Sequence, residues 1–173
     1  MVYVITGGPG FGKSVLIEKL HKLGYPVGGE IARQIIEQQI AEGGALLPWK
    51  DAAGFEKRVM NERIEFLKSI DIKSVAFSDR GLPDQAAFSG YKGNAISPQL
   101  KAAINENHYA KKVFLTPPWR EIYHNDSIRT ETFEEAEKIH QHIVEAYLKS
   151  NYELIDLPFV SPDERIAFIL KSL

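Results

Sequence analysis

The sequence predicts an α/β fold, a parallel sheet covered by helices on both faces. Three observations carry that expectation. Short apolar, β-branched runs alternate with longer segments of helical period. The first run, Val2–Thr6, leads directly into a glycine-rich loop and then a helix. Glycine and proline breaks separate the segments, as at Gly43-Gly44, Pro48 and Pro117-Pro118.

Each element follows in order. Val2–Thr6 reads as a buried parallel strand. From Lys13 the period changes: Leu16, Leu20 and Leu23 mark a helix that Gly24 closes. Residues 25–29 form a second strand candidate. Ile31, Ile35, Ile36 and Ile40 line one helix face, and Phe55, Val59, Ile64, Leu67 and Ile70 another. Val75-Ala76-Phe77 leads into Ser78-Asp79, a third buried strand ending in an acid. Residues 83–91 and 98–107 read as short helices, the second opened by Ser97-Pro98. Residues 112–116 form the fourth strand. Thr132 and Glu135 fit a capping box for a helix through Ala136, Ile139, Ile143 and Tyr147. Residues 152–157 form the fifth strand, and Ser161-Pro162-Asp163-Glu164 opens the last helix.

Length and composition set the outer bounds. A chain of 173 residues suggests one domain, with no repeat, low-complexity tract or linker to divide it. Hydrophobic residues at 44% and charged residues at 25% argue against disorder. The 21 basic and 23 acidic side chains leave a formal net charge of -2, so no basic excess draws in nucleic acid or an anionic membrane. The absence of cysteine excludes disulfides, thiolate nucleophiles and zinc-finger sites. Without a signal peptide or a long apolar run, the expectation is a soluble cytoplasmic protein. Oligomeric state is not readable.

The glycine loop carries the chemistry. Gly7, Gly8, Pro9, Gly10, Phe11, Gly12, Lys13 and Ser14 fit G-x-x-x-x-G-K-[ST]. A phosphate chain needs several backbone N–H donors aimed at one point, and a tight glycine turn into a helix N-terminus supplies them. Lys13 is expected on the β- and γ-phosphates of ATP and Ser14 on the Mg²⁺ that bridges them. Such a site needs a second acid, and Asp79 at the end of the third strand supplies one, with Arg80 beside it. The competing readings are a turn cap for Asp79 and a surface salt bridge for Arg80.

Glu30 and Arg33 follow the second strand, at the sheet edge where ligands bind in open α/β folds. Glu30 is a candidate to accept or orient an acceptor hydroxyl's proton; a solvated first-turn glutamate is the alternative. Arg129, on a segment of weak periodicity at about 119–133, is the candidate lid arginine, ahead of Arg120. Other patterns fail. His140 and His142 are two apart on a helix and cannot share a metal. Trp49 and Trp119 are expected to pack rather than stack on bases. Asp51-Ala52-Ala53-Gly54 has the D-x-x-G spacing, but no strand precedes it and no N-K-x-D motif occurs.

The loop, Glu30-Ile31-Ala32-Arg33 and Ser78-Asp79-Arg80-Gly81-Leu82-Pro83-Asp84 together resemble the small bacterial AAA-domain P-loop ATPases. That family is similar to the nicotinamide riboside kinase domain of the NAD-synthesis regulator and, more remotely, to deoxynucleoside and thymidylate kinases. The resemblance implies a five-stranded P-loop NTPase sheet in the order 2-3-1-4-5 with a lid between strands four and five. It implies that Asp79 and Arg80 match the Asp/Glu-Arg pair of the kinases and Glu30 their carboxylate after strand two. Deoxynucleoside kinases carry serine where Gly81 stands. The expectation is an ATP- and Mg²⁺-dependent phosphotransferase acting on a small metabolite such as a nucleoside-like one. A simple NTPase and a nucleotide-binding sensor are the alternatives.

Overall fold

The computed structural model describes residues 1–123 and 131–173. The strands are β1 (Val2–Thr6), β2 (Val27–Gly28), β3 (Ala76–Asp79), β4 (Lys112–Leu115) and β5 (Glu153–Asp156). Among the described residues the helices are α1 (Lys13–Lys22), α2 (Ile31–Glu42), α3 (Ala52–Ser69), α4 (Leu82–Tyr91), α5 (Pro98–Glu106), α6 (Phe133–Lys149) and α7 (Pro162–Lys171). A 3₁₀ turn spans Arg120–Ile122.

All five strands run parallel in the order β2-β3-β1-β4-β5, as expected. Side chains alternate across a strand, so β1 feeds two cores. Val2 and Val4 join Leu82, Leu100, Ile139 and Tyr147 on the face covered by α4, α5 and α6. Tyr3 and Ile5 join Leu16, Leu20, Ile166 and Ile169 on the face covered by α1 and α7. This two-sided burial explains why the strand reads as a continuous apolar run.

The capping signals hold. Thr132 accepts from the Glu135 N–H while Glu135 accepts from the Thr132 N–H, and Ser161 and Glu164 do the same at α7. Ser97 caps α5 by accepting from the Leu100 N–H. Asp51 of the D-x-x-G string is simply the cap of α3, accepting from the Gly54 N–H at 2.9 Å. Two details differ from expectation. The second strand is only Val27–Gly28, because β2 sits at the sheet edge and pairs on one side alone. Trp49 does not pack; it is 63% exposed on the α2–α3 connection. Trp119 does pack, edge-on to Phe159 with ring centroids 5.4 Å apart and under the Arg165 guanidinium at 4.7 Å.

Candidate active site

The carboxyl end of β1 delivers the chain into the glycine loop against Thr116. A Cβ on Gly7 would lie 2.3 Å from Thr116 Oγ1 and 2.4 Å from its carbonyl oxygen, and φ there is +137°. Only glycine fits. Gly12 ends the loop at φ 81° and caps α1 without a side-chain hydrogen bond. The first N–H groups of α1 therefore have no side-chain cap, which is the condition for anion binding at a helix start.

Phe11 has a different job from its neighbours in the motif. Its ring is fully buried and packs on Phe133, His140 and Tyr123 at centroid distances of 5.7, 5.9 and 6.2 Å. The side chain fastens the loop to α6, leaving only its backbone for a ligand. His140 adds a polar tie, its Nδ1 accepting from the Gly8 N–H at 3.4 Å. Burial, followed by the nearby Lys13 and Arg80 charges, pushes the imidazole pKa down to about 4. His142 faces elsewhere, edge-on to Tyr91 at 5.9 Å.

Lys13 is buried, its Nζ donating to the Gly7 and Gly8 carbonyls at 3.1 and 2.6 Å. The Ser14 hydroxyl donates to Glu30 Oε1. Glu30 is the N-cap residue of α2, yet its side chain makes no capping bond and reaches across to the loop. Register pairs Asp79 with Ile5, so β3 ends beside the loop. Asp79 is buried, and its Oδ1 has no hydrogen-bond partner. Burial pushes its pKa up, opposed by the Lys13 and Arg80 charges and reinforced by Glu30.

A magnesium ion fits this donor set. The groups are hard oxygens, Ser14 Oγ and the unpartnered Asp79 Oδ1, beside the glycine loop. Among the described residues no three acidic or histidine side chains form a cage.

Arg80 is not the surface salt bridge that its residue type alone suggests. It holds a left-handed backbone at φ 66°. Its Nη1 donates to the Gly7 carbonyl at 3.0 Å and to Asp84 Oδ1 at 2.9 Å. Asp84 is fully buried and also accepts from Thr6 Oγ1 at 2.5 Å, Tyr147 Oη at 2.6 Å and the Gly81 N–H at 2.8 Å. Burial alone would raise its pKa, but Arg80, Arg63 and the two hydroxyl donors outweigh it and hold the carboxyl below its ordinary value. The sequence offers no role for Asp84 beyond its place in the string after Arg80. The signal was its place four residues after Arg80, one helical turn away. Gly81 has a steric reason: a Cβ there would meet Tyr147 Oη at 2.7 Å.

A cavity of about 550 Å³ opens beside the loop, and Lys13, Glu30, Arg33, Asp79 and Arg80 are among the residues that line it. Arg33 stands at this cavity with Glu37 accepting from its Nε at 2.9 Å. Arg120 is exposed, pairs with Glu134 at 2.8 Å and lies over Phe133, so it serves α6. Arg129, and with it residues 124–130 of the expected lid, lies outside the described residues.

An AAA domain family model matches residues 2–165. The chain belongs to the AAA-domain family. Curated protein sequences give no significant match. Among solved structures, this AAA-domain chain is similar to a deoxyadenosine kinase from M. mycoides with bound dATP, at 16% identity and TM-score 0.64, covering 99% of this chain and 98% of that one. It is similar to a thymidylate kinase from Ehrlichia chaffeensis at 13% identity and TM-score 0.65, covering 99% and 97%. It is also similar to the NadR protein in complex with NR, at 15% identity and TM-score 0.69, covering 99% of this chain and 49% of that one. At these identities the likeness is one of fold, the P-loop kinase fold. No helix among the described residues is long and apolar enough to cross a membrane.

Proposed function

We propose that this AAA-domain protein is an ATP- and Mg²⁺-dependent phosphotransferase acting on a small, nucleoside-like metabolite. The observation that carries the reading is the cavity beside the loop, walled by Lys13, Glu30, Asp79 and Arg80. A plain ATPase has to position only water, whereas a space of about 550 Å³ next to the phosphate loop suits a second substrate.

The parts have distinct roles. Backbone N–H groups from Gly10 to Ser14 cradle the phosphates. Lys13 neutralises charge on them, and Ser14 with Asp79 holds the ion. A Mg²⁺ ion held by them would supply positive charge against the nucleotide phosphates. Arg80 faces the transferred or acceptor phosphate, while Asp84 keeps its guanidinium oriented. Glu30 accepts or orients the acceptor hydroxyl's proton. Arg33 lines the acceptor's entrance. Catalysis comes mainly from positioning and charge neutralisation.

One observation favours a second reading. Ser14 donates to Glu30, so the carboxylate touches the residue assigned to the ion. That contact suits a Glu30 that orients water in the ion's shell, as in a simple ATPase. A small-metabolite screen with ATP and Mg²⁺ separates the two. The kinase reading expects ADP formation that depends on one acceptor class and falls about 10²–10⁴-fold in Glu30→Gln. Acceptor-independent ADP formation throughout the screen would favour the ATPase, and tight nucleotide binding without turnover a sensor.

A further inference from the structure

Besides the unpartnered oxygens of Asp79 and Glu131, two further side chains lining the acceptor cavity are left unsatisfied, and together they define a chemical edge. Arg63 lies on α3 and is 4% exposed, yet its Nε and Nη1 have no hydrogen-bond partner. Gln85 lies on α4, is equally buried, and its Oε1 has no partner. Both line the cavity. A buried polar atom left unpaired costs roughly 1–3 kcal/mol. Two such groups in one cavity are costly unless something supplies their partners.

Glu56 fixes which partner Gln85 requires. The Gln85 amide nitrogen donates to the Glu56 backbone carbonyl at 2.9 Å and to its carboxylate Oε2 at 2.7 Å. A carbonyl oxygen cannot donate, so turning the amide over would set oxygen against oxygen twice. Oε1 is therefore held as the free end, an acceptor only. Arg63 can only donate. The cavity thus asks for a ligand with an N–H toward Gln85 and an oxygen or ring nitrogen toward Arg63. A carboxylate satisfies Arg63 but is repelled by Gln85 Oε1. Phe55 and Phe88 in the same wall, with Arg80 over the Phe88 ring at 5.1 Å, suit a flat apolar body.

We propose that Gln85, Arg63 and Glu56 form a specificity site for a planar heterocycle carrying a lactam-like edge, N–H beside C=O, as in an oxopurine or oxopyrimidine nucleoside. The inference rests on the phosphotransferase reading and names its acceptor class. Small side-chain shifts bring the ligand edge to the buried atoms, as is common on binding.

The test is nucleoside binding by calorimetry on the intact protein, without ATP, using uridine and inosine beside 3-methyluridine and 1-methylinosine. Each methylated probe lacks the N–H and keeps the carbonyl. At least one parent nucleoside should bind 10-fold or more tighter than its methylated form, since a site built for a hydrogen bond rejects an analogue lacking it. Gln85→Met removes the acceptor oxygen at similar side-chain length, and the preference should shrink toward unity while circular dichroism stays unchanged. Equal binding of parent and methylated probes, or tighter binding of the carboxylate shikimate than of either nucleoside, would overturn the proposal. Because the readout is binding, a protein that discriminates the probes but transfers no phosphate refutes the kinase reading alone. A protein that phosphorylates some other acceptor and ignores this edge refutes the specificity site alone.

Discussion

Lys13 is the most committed residue of the chain: it is buried among loop carbonyls in a cavity that also holds Asp79. In the proposed reading this ammonium, held by the Gly7 and Gly8 carbonyls, serves the phosphates rather than the stability of the fold. Lys13→Ala should reduce ATP turnover by about 10²-fold or more while the thermal midpoint moves little. Steady-state ADP release beside differential scanning fluorimetry checks both halves. Asp84 presents the reverse case. It gathers bonds from Thr6, Arg80, Gly81 and Tyr147 in full burial. Asp84→Asn removes the charge that compensates Arg80, and breaking a buried pair costs about 3–5 kcal/mol. Urea unfolding should show that loss; a change under about 1 kcal/mol would mean that the network carries little.

At the scale of elements, α6 and the glycine loop act as one body through Phe11 and His140. His140 accepts from Gly8 only when neutral. Its folded pKa, about 4, lies below the 6.5 of the free side chain. The unfolded chain therefore binds the proton first as pH falls. Because burial, and then the Lys13 and Arg80 charges, disfavour the imidazolium in the fold, stability is full above pH 6.5 and declines between 6.5 and 4, the loss amounting to at most on the order of 3 kcal/mol. His140→Gln should flatten that acid limb in unfolding experiments run from pH 7 to 4. At the start of α4, Gly81→Ser should destabilise by about 1–3 kcal/mol, because its Cβ collides with the Tyr147 hydroxyl. A serine variant as stable as the parent would contradict that packing.

Elements also show what the sequence could reveal. The strands, the loop and the caps of α5, α6 and α7 were legible because each is written in neighbouring residues, as β-branched runs, glycine spacing, or Ser/Thr with Glu three places on. Asp79 was legible because it ends an apolar run. The second strand was legible within 25–29 but not its two-residue extent, since edge pairing leaves little pattern. Arg63 and Gln85 were invisible for another reason. On a linear helix pattern an arginine and a glutamine read as solvated face, and only the packing of α3 against α4 buries them. Trp49 misled in the same way: a large apolar residue is expected inside, and here it stands exposed on a loop that also borders the cavity.

For the molecule as a whole, the order β2-β3-β1-β4-β5 sets β1 and β3 side by side and turns their carboxyl ends toward one edge. The loop after β1, the acid and arginine after β3 and the carboxylate after β2 converge there without long-range sequence signals. The cavity lies on the β2–β3 side of that edge, bounded by α2, α3 and α4. In the proposed reading, nucleotide and acceptor take separate places that meet at Lys13 and Asp79. The most direct measurement of this two-substrate arrangement is the fate of the γ-phosphoryl group, followed by phosphorus NMR with ATP, Mg²⁺ and a mixture of nucleosides. The expected result is a new phosphate-ester signal that grows with ADP, is lost in Lys13→Ala and is strongly slowed in Glu30→Gln. Inorganic phosphate as the sole product, formed at one rate with or without the nucleosides, would contradict it.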